Sequence, residues 1–452
     1  VLEVLAGNGV TAMVDCDMDF VPTPSVSRAI IRYNEEHDDK ADGIIITPSH
    51  NPPGNGGIKY NTIIGGPADT VVTKWIEMRA NGYLTAYCES EDFKRISIDN
   101  IEPTAQVPYD YKGLYVEELG DVINMEAIKA AGPKVLVDTL GGSGASYWNA
   151  IKERYGLDLT IIHDDYDPTF SFMTYDHDGK VRMDCSSTYV MASVINRIGD
   201  FDLAVGNDPD YDRYGIVVSS GLISANTFLT LAARYLFTTR GWKNKGVGKT
   251  VVCTTMIDKW AADAETPVFE VPVGFKYFSQ LLFDGAIGIG GEESAGASFL
   301  KKDGTVWTTD KDGMIMALLS MEIMAVMGKS ALKMADEFVE EFGNPSFCRI
   351  DAPCKKEQKQ ILKQMSAELI TATTVDGDPI TNIRTTSLYN DMPIDGVRVE
   401  TDKGWFVARP SGTEDLYKIY GESYKGDLGL VALLTAGEEI VNAALNGTIE
   451  TE

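Results

Sequence analysis

Short apolar runs recur along this chain, each followed by a polar or glycine-rich turn and then a longer amphipathic stretch. GIIIT at 43–47, PKVLVD at 133–138, FDLAV at 201–205, YGIVV at 214–218, KTVVCTTM at 249–256 and GAIGIGG at 285–291 all follow this plan. Strands of that length alternating with helical patterns require a sheet covered by helices, which is the α/β class. At 452 residues the pattern is too long for one core and predicts several domains. From about 345 onward the character changes. GVRVETDKGWFVARPSGTEDLYKIYGES alternates as antiparallel strands do, after the Gly-Asn-Pro break in EEFGNPS at 340–346. The predicted division is 1–111, 112–220, 221–344 and 345–452: three similar mixed-sheet α/β domains and a C-terminal α+β domain. The opening VLEVLAGNG reads as the end of a helix stopped by Gly7 and Gly9, followed by the strand VTAMVD. A parallel α/β unit normally has a strand before that helix, so the first domain is expected to be N-terminally incomplete.

The net charge of −27 argues against a nucleic-acid groove or an anionic membrane surface as partner. A small anionic substrate remains compatible, because a few local cations outweigh a distant acidic surface. Six scattered cysteines without a CxxC favour a reducing, cytoplasmic setting. The methionine-rich helix from Met314 is too short to span a membrane and carries Glu322, so it is expected to be core filler. No membrane-spanning segment is expected.

Four loops carry the candidate chemistry. In NDPDYDRYG, Asp208, Asp210 and Asp212 alternate, and in an extended loop alternate carboxylates point the same way. Three adjacent carboxylates repel one another unless a cation lies between them, and an all-oxygen set suits Mg²⁺. An EF-hand is excluded, since its sixth and twelfth positions would be Arg213 and Ser219. In TPSHNPPGNGGIKYN, Ser49 stands on a bend beside His50, with Lys59 further on. A phosphorylated Ser49 would offer that metal a further oxygen, and the metal would make the phosphorus more electrophilic. His50 or Lys59 would move a proton or neutralise charge, and Gly54, Gly56 and Gly57 would let backbone approach closely. In RPSGTED, Arg409 offers a planar fork, Ser411 and Thr413 offer hydroxyls, and Gly412 permits a nest of amides: a dock for a phosphate that is held, not transferred. In GIGGEESAGAS, Glu292 and Ser294 supply acceptors for adjacent sugar hydroxyls; the ordinary alternative is an acidic helix N-terminus. Lys276 in VPVGFKYF is a further candidate phosphate or hydroxyl contact.

Three tempting motifs fail. GVGKT at 246–250 lacks the earlier glycine of a nucleotide-binding loop, having Lys243 there. LGGSG at 140–144 has Tyr147 where a dinucleotide fingerprint needs glycine. Four histidines and scattered cysteines give no zinc spacing.

Taken together, TPSHNP, DPDYDR, GEESAG and RPSGTE, in that order, resemble the active-site loops of the α-D-phosphohexomutases. Their wording is most similar to the bacterial-type phosphoglucomutases within that family. The resemblance implies four domains around a central cleft, with one loop from each. It implies that Ser49 is the phosphoserine and a metal ligand through its phosphate, that Asp208, Asp210 and Asp212 complete the protein's share of a Mg²⁺ site, and that Arg213 lies near the transferred phosphoryl group. His50 and Lys59 fall on the family's active-site histidine and acid/base lysine. Glu292 and Ser294 would hold sugar hydroxyls, and Arg409, Ser411, Gly412 and Thr413 the non-reacting phosphate. The implied reaction interconverts glucose 1-phosphate and glucose 6-phosphate, with glucose 1,6-bisphosphate as intermediate and activator, in a monomer or homodimer. The same chemistry on another sugar, such as mannose phosphate or a pentose phosphate, a metal-dependent phosphatase and a non-catalytic sugar-phosphate-binding protein are the alternatives.

Overall fold

The computed structural model describes residues 1–86, 93–411 and 416–449. Gly412 and Thr413 therefore lie outside the described residues. The chain forms two compact units, one of residues 1–222 and 300–326, the other of 223–299 and 327–452.

In the first unit, β1 (Ala12–Asp15) is followed by β2 (Gly43–Ile46), β3 (Ile58–Asn61) and β4 (Gln106–Tyr109). β1 pairs with β4 in parallel, and β2 with β3 antiparallel. A five-stranded mixed sheet comes next, from β5 (Val135–Asp138), β6 (Leu159–Ile162), β7 (Leu203–Asn207), β8 (Tyr214–Val218) and β9 (Gly221–Leu222), in the order β6-β5-β7-β8-β9. β5, β7 and β8 are buried throughout, as expected of strands covered on both faces. The helix Gly313–Met327 is the methionine run, and its residues 313–323 are all buried, so it is core. Glu322 is tolerated inside it because Oε2 accepts the Asn124 amide at 2.7 Å. Gly313 opens that helix where any side chain would collide: a Cβ would stand 2.0 Å from the Arg213 carbonyl.

In the second unit, β10 (Gly246–Thr250), β11 (Val268–Val271), β12 (Ile287–Gly291) and β13 (Ala297–Phe299) form a sheet in the order β11-β10-β12-β13, with only β13 antiparallel. GVGKT is thus a buried strand, not a phosphate loop; Lys249 within it is ion-paired with Asp258. An antiparallel sheet follows, from β14 (Ser346–Pro353), β15 (Thr374–Val375), β16 (Asp378–Thr386), β17 (Pro393–Thr401), β18 (Gly404–Pro410) and β19 (Leu416–Ser423), in the order β14-β19-β18-β17-β16-β15. The helix Gly426–Ile449 lies on β14, β18 and β19 and buries Leu430, Leu433, Leu434, Val441 and Leu445 there. Its stretch Gly426–Asn446 is long and apolar enough to cross a membrane, contrary to the expectation that no segment is. That apolar character serves the sheet: one face is packed, while Leu428 and Val431 face outward.

Candidate active site

The first unit gathers Ser49, His50, Lys59, Asp208, Asp210, Asp212 and Arg213. The apolar strand β2 ends at Ile46, and Ser49 turns the chain in the left-handed region at φ 53°. The bend is pinned from inside: the Ser49 amide donates to Thr47 Oγ1 at 2.7 Å, and Thr47 Oγ1 donates to Asp210 Oδ2 at 3.0 Å. A two-step hydrogen-bond chain thus ties the serine to the acidic loop. His50 Nδ1 lies 3.2 Å from Ser49 Oγ. Burial first, and then the Arg213 charge, pushes His50 down to about 4, so its ring is neutral at pH 7. The glycines do less than expected. A Cβ at Gly54 or Gly56 would meet nothing within 4 Å, and at Gly57 only the Thr47 carbonyl at 3.4 Å. None is needed for close packing within the fold.

The acidic loop is a turn, not the extended segment expected from the alternation. The Tyr211 amide donates to the Asp208 carbonyl at 2.9 Å, and Tyr211 has φ 62°. The carboxylates converge because the chain curls around them, and one oxygen from each lies within 4.8 Å of the other two. Each aspartate engages one oxygen and leaves the other without a donor among the described residues. Asp208 Oδ1 accepts the Arg213 amide at 2.9 Å. Asp210 Oδ2 accepts Lys59 Nζ at 2.6 Å, and Asp212 Oδ2 accepts Lys59 and Lys311 Nζ at 2.8 and 2.9 Å. Asp208 Oδ2, Asp210 Oδ1 and Asp212 Oδ1 are buried and unpaired. Burial, then Asp212 and Asp210, raises the Asp208 carboxyl well above its usual range. Burial works the same way on Asp212, but Lys311, Lys59 and Arg213 prevail and hold it low. Three clustered carboxylates, each keeping one buried oxygen without a hydrogen-bond donor, fit a hard divalent cation.

Against the cost of burial, Asp212, Asp210 and Asp310 hold Lys59 above its ordinary value, so it is an ammonium here. Thr47, Asp310, Lys311 and Asp184 are neighbours that escaped the sequence reading. Arg213 Nη1 lies 3.2 Å from Asp184 Oδ2, and the Met183 amide donates to the His50 carbonyl at 3.0 Å. Lys311 lies about 100 residues from the acidic loop and Asp184 29 residues from Arg213, and neither belongs to a local motif, so no sequence spacing pointed to them.

The second unit carries the other candidates. GGEESAG is the connection between antiparallel β12 and β13, not a helix N-terminus. The Glu292 amide donates to the Gly296 carbonyl at 2.8 Å, Glu292 Oε1 accepts the Gly274 amide at 3.1 Å, and Ser294 stands in the turn. Lys276 opens the helix Lys276–Phe283, its ammonium 5.1 Å from the Tyr277 ring centre. Arg409 is the next-to-last residue of β18, and its Nε is buried with no hydrogen-bond partner among the described residues. Ser411 is also buried, its amide donating to the Leu416 carbonyl at 2.9 Å across the hairpin. These loops meet electrostatically at Tyr420. Burial pushes its hydroxyl to about 12, Glu293 reinforces that shift, and Arg409 opposes it. Tyr277, beside Lys276, also feels Arg409.

Four family models match along the chain. They describe the alpha/beta/alpha domains I, II and III and the C-terminal domain of phosphoglucomutase/phosphomannomutase, over residues 1–85, 114–221, 224–342 and 350–428. The chain is 46% identical over 447 residues to the phosphoglucomutase of Komagataeibacter xylinus, covering 98% of this chain and 80% of that protein. It is 26% identical over 467 residues to phosphoglucomutase 1 of Saccharomyces cerevisiae, covering 94% and 78%. Among solved structures, parafusin (phosphoglucomutase) from Paramecium in an open form superposes with a TM-score of 0.75 at 20% identity, covering 98% of this chain and 84% of that one. A phosphomannomutase-type structure from Thermus thermophilus gives 0.73 at 23%, covering 97% and 85%. At those identities the structural likeness speaks to the fold. The chain belongs to the phosphoglucomutase/phosphomannomutase family, the α-D-phosphohexomutases.

Proposed function

We propose that this chain is a phosphoglucomutase, interconverting glucose 1-phosphate and glucose 6-phosphate through a phosphorylated Ser49. The observation that carries the reading is the aspartate trio, each member keeping one buried oxygen without a donor, tied through Asp210 and Thr47 to the Ser49 bend. The identity of 46% to a phosphoglucomutase supports glucose as the sugar. The division 1–111, 112–220, 221–344 and 345–452 gives each domain one of the four loops. Asp208, Asp210 and Asp212 would hold Mg²⁺ together with an oxygen of phospho-Ser49. When bound, the ion draws charge from the phosphoryl group and stabilises the departing serine oxygen.

Phospho-Ser49 gives its phosphoryl group to the 6-hydroxyl of glucose 1-phosphate. The sugar oxygen forms the new P–O bond, the bond to Ser49 Oγ breaks, and the proton lost by the sugar is balanced by one gained at Oγ. Glucose 1,6-bisphosphate results. After it turns over, its 1-phosphate returns to Ser49 and glucose 6-phosphate leaves. His50 has a neutral ring nitrogen within reach of Ser49 Oγ, which suits it to orient that hydroxyl through a hydrogen bond, while a ring held down to about 4 does not keep the proton itself at pH 7. Lys59, held as an ammonium, balances phosphoryl charge instead. Arg213 faces the transferred group. Arg409, with Ser411, Gly412 and Thr413, holds the phosphate that is not reacting, while Lys276, Glu292 and Ser294 read the ring hydroxyls.

Intact-mass measurement and peptide mapping should find one phosphate on Ser49. In an assay with Mg²⁺ and a trace of glucose 1,6-bisphosphate, S49A should lose interconversion while still binding sugar phosphate. Retained activity in S49A contradicts the phosphoserine. Equal turnover of glucose 1-phosphate and mannose 1-phosphate removes the glucose assignment. Inorganic phosphate released as fast as sugar phosphate is consumed points to a phosphatase.

A further inference from the structure

Arg213 has a fixed backbone and a far end with competing places to go. Its amide is held by Asp208 Oδ1 at 2.9 Å, and its carbonyl accepts Asn207 Nδ2 at 2.9 Å. Gly313 presses on the same carbonyl. Those restraints stop at the backbone. The side chain lies beside the acidic turn, with Nε 3.9 Å from Asp212 Oδ1, one of the three unpaired oxygens. A guanidinium that closed that gap would form a charge-assisted bond and take a carboxylate oxygen from the cation. Nε itself is buried without a hydrogen-bond partner among the described residues, so the side chain has not closed it.

The opposing hold comes from the 183–187 loop. Asp184 Oδ2 lies 3.2 Å from Arg213 Nη1. Asp184 is itself fixed, with Oδ1 accepting the Ser186 amide at 3.1 Å and Ser186 Oγ at 2.7 Å, and its carbonyl accepting the Ser187 amide at 2.9 Å. On one side of it, Met183 donates to the His50 carbonyl. On the other, the Cys185 carbonyl lies so close to β8 that a Cβ at Gly215 would stand 2.4 Å from it. One short loop therefore grips the residue after Ser49 and the strand after Arg213.

We propose that Asp184 is a positioning residue for phosphoryl transfer, holding the Arg213 guanidinium off the aspartate trio and turned toward the phosphate on Ser49. The proposal rests on the phosphoserine reading above. It predicts that Asp184 matters only through Arg213, which a merely structural role would not show. Single-turnover transfer from ³²P-labelled Ser49 to glucose 1-phosphate separates the cases, measured in the wild type, D184N, R213A and the double variant, with melting curves as a folding control. D184N should slow transfer by about 10–100-fold, the worth of one hydrogen bond to a charged group, with KM changed less than about threefold. In the R213A background the same substitution should cost less than about threefold. S186A, which removes one of Asp184's own restraints, should give a smaller loss that also vanishes with R213A, and it serves if D184N does not fold. Equal costs in both backgrounds, or no cost in either, overturn the proposal and leave phospho-Ser49 standing. Full activity in R213A overturns both this proposal and the role given to Arg213. No label transferable from Ser49 in the wild type overturns the underlying reading and this one with it.

Discussion

In the first unit, Asp208, Asp210 and Asp212 each leave one buried oxygen without a donor among the described residues. In the second, Glu270 and Glu400 are surrounded by arginines. Arg384 reaches both oxygens of Glu270 at 2.5 and 2.9 Å and Glu400 at 3.2 Å, and Arg398 reaches Glu400 at 2.6 Å and also binds the Val251 carbonyl. The protonation preferences follow. Burial raises Asp208, and its neighbours reinforce the shift. Burial also works on Glu270 and Glu400, but the arginines overcome it and hold both low. Glu422 keeps one unpaired oxygen, yet its other oxygen accepts the Thr255 amide and hydroxyl and Trp405 Nε1. Buried charge that is balanced within the protein is scaffold. A cluster of carboxylates that each keep one buried oxygen without a donor, as in the trio, asks for a ligand even with cations beside it.

Breaking the scaffold should cost the most stability. R384A leaves Glu270 and Glu400 buried with too few partners and should lower unfolding stability by about 3–5 kcal/mol, read by urea denaturation, with kcat nearly unchanged at 25 °C. D208N should do the reverse. It should cut mutase activity by at least about 100-fold, because a metal ligand is lost. In EDTA it should melt no lower than the wild type, because burial and the neighbouring carboxylates already disfavour a charge on Asp208. A D208N protein that is active, or much less stable without metal, would erase the contrast.

How much of this was legible in the sequence follows the same line. The loops could be found because each closes an apolar strand and carries its chemistry within a few residues. Ser49 and the three aspartates were readable for that reason. The alternation of the aspartates singled out three residues that the fold does cluster, but through the wrong geometry, since convergence comes from the turn at Tyr211, not from an extended chain. Thr47, Asp184 and Lys311 were not readable, because what makes them partners of the site is tertiary proximity. The Glu270–Arg384–Glu400–Arg398 network was equally hidden: each member is an ordinary charged residue of a strand.

A smaller effect concerns Asp312, which accepts Tyr115 Oη at 2.9 and 2.8 Å and Trp307 Nε1 at 2.8 Å. Burial, opposed by those donors, pushes its carboxyl from 3.8 to about 6. The folded protein therefore holds this proton more tightly than the unfolded chain does. Its contribution to stability is full below about pH 4 and lost as pH rises to about 6, by about 3 kcal/mol at most. D312N should flatten that part of the stability–pH curve. An unchanged slope would show that Asp312 does not carry that part of the pH dependence. The smallest expected effect is on docking: R409A should raise KM for glucose 1-phosphate by about 10–50-fold and change kcat less. An equal loss in kcat would place Arg409 in the transfer step.

The most direct measurement is anomalous diffraction from crystals of the phosphorylated protein soaked in Mn²⁺. The account predicts one manganese peak bonded to Asp208, Asp210, Asp212 and a phosphate oxygen on Ser49. A saturating soak that leaves the trio bare, or places the metal away from Ser49, contradicts it.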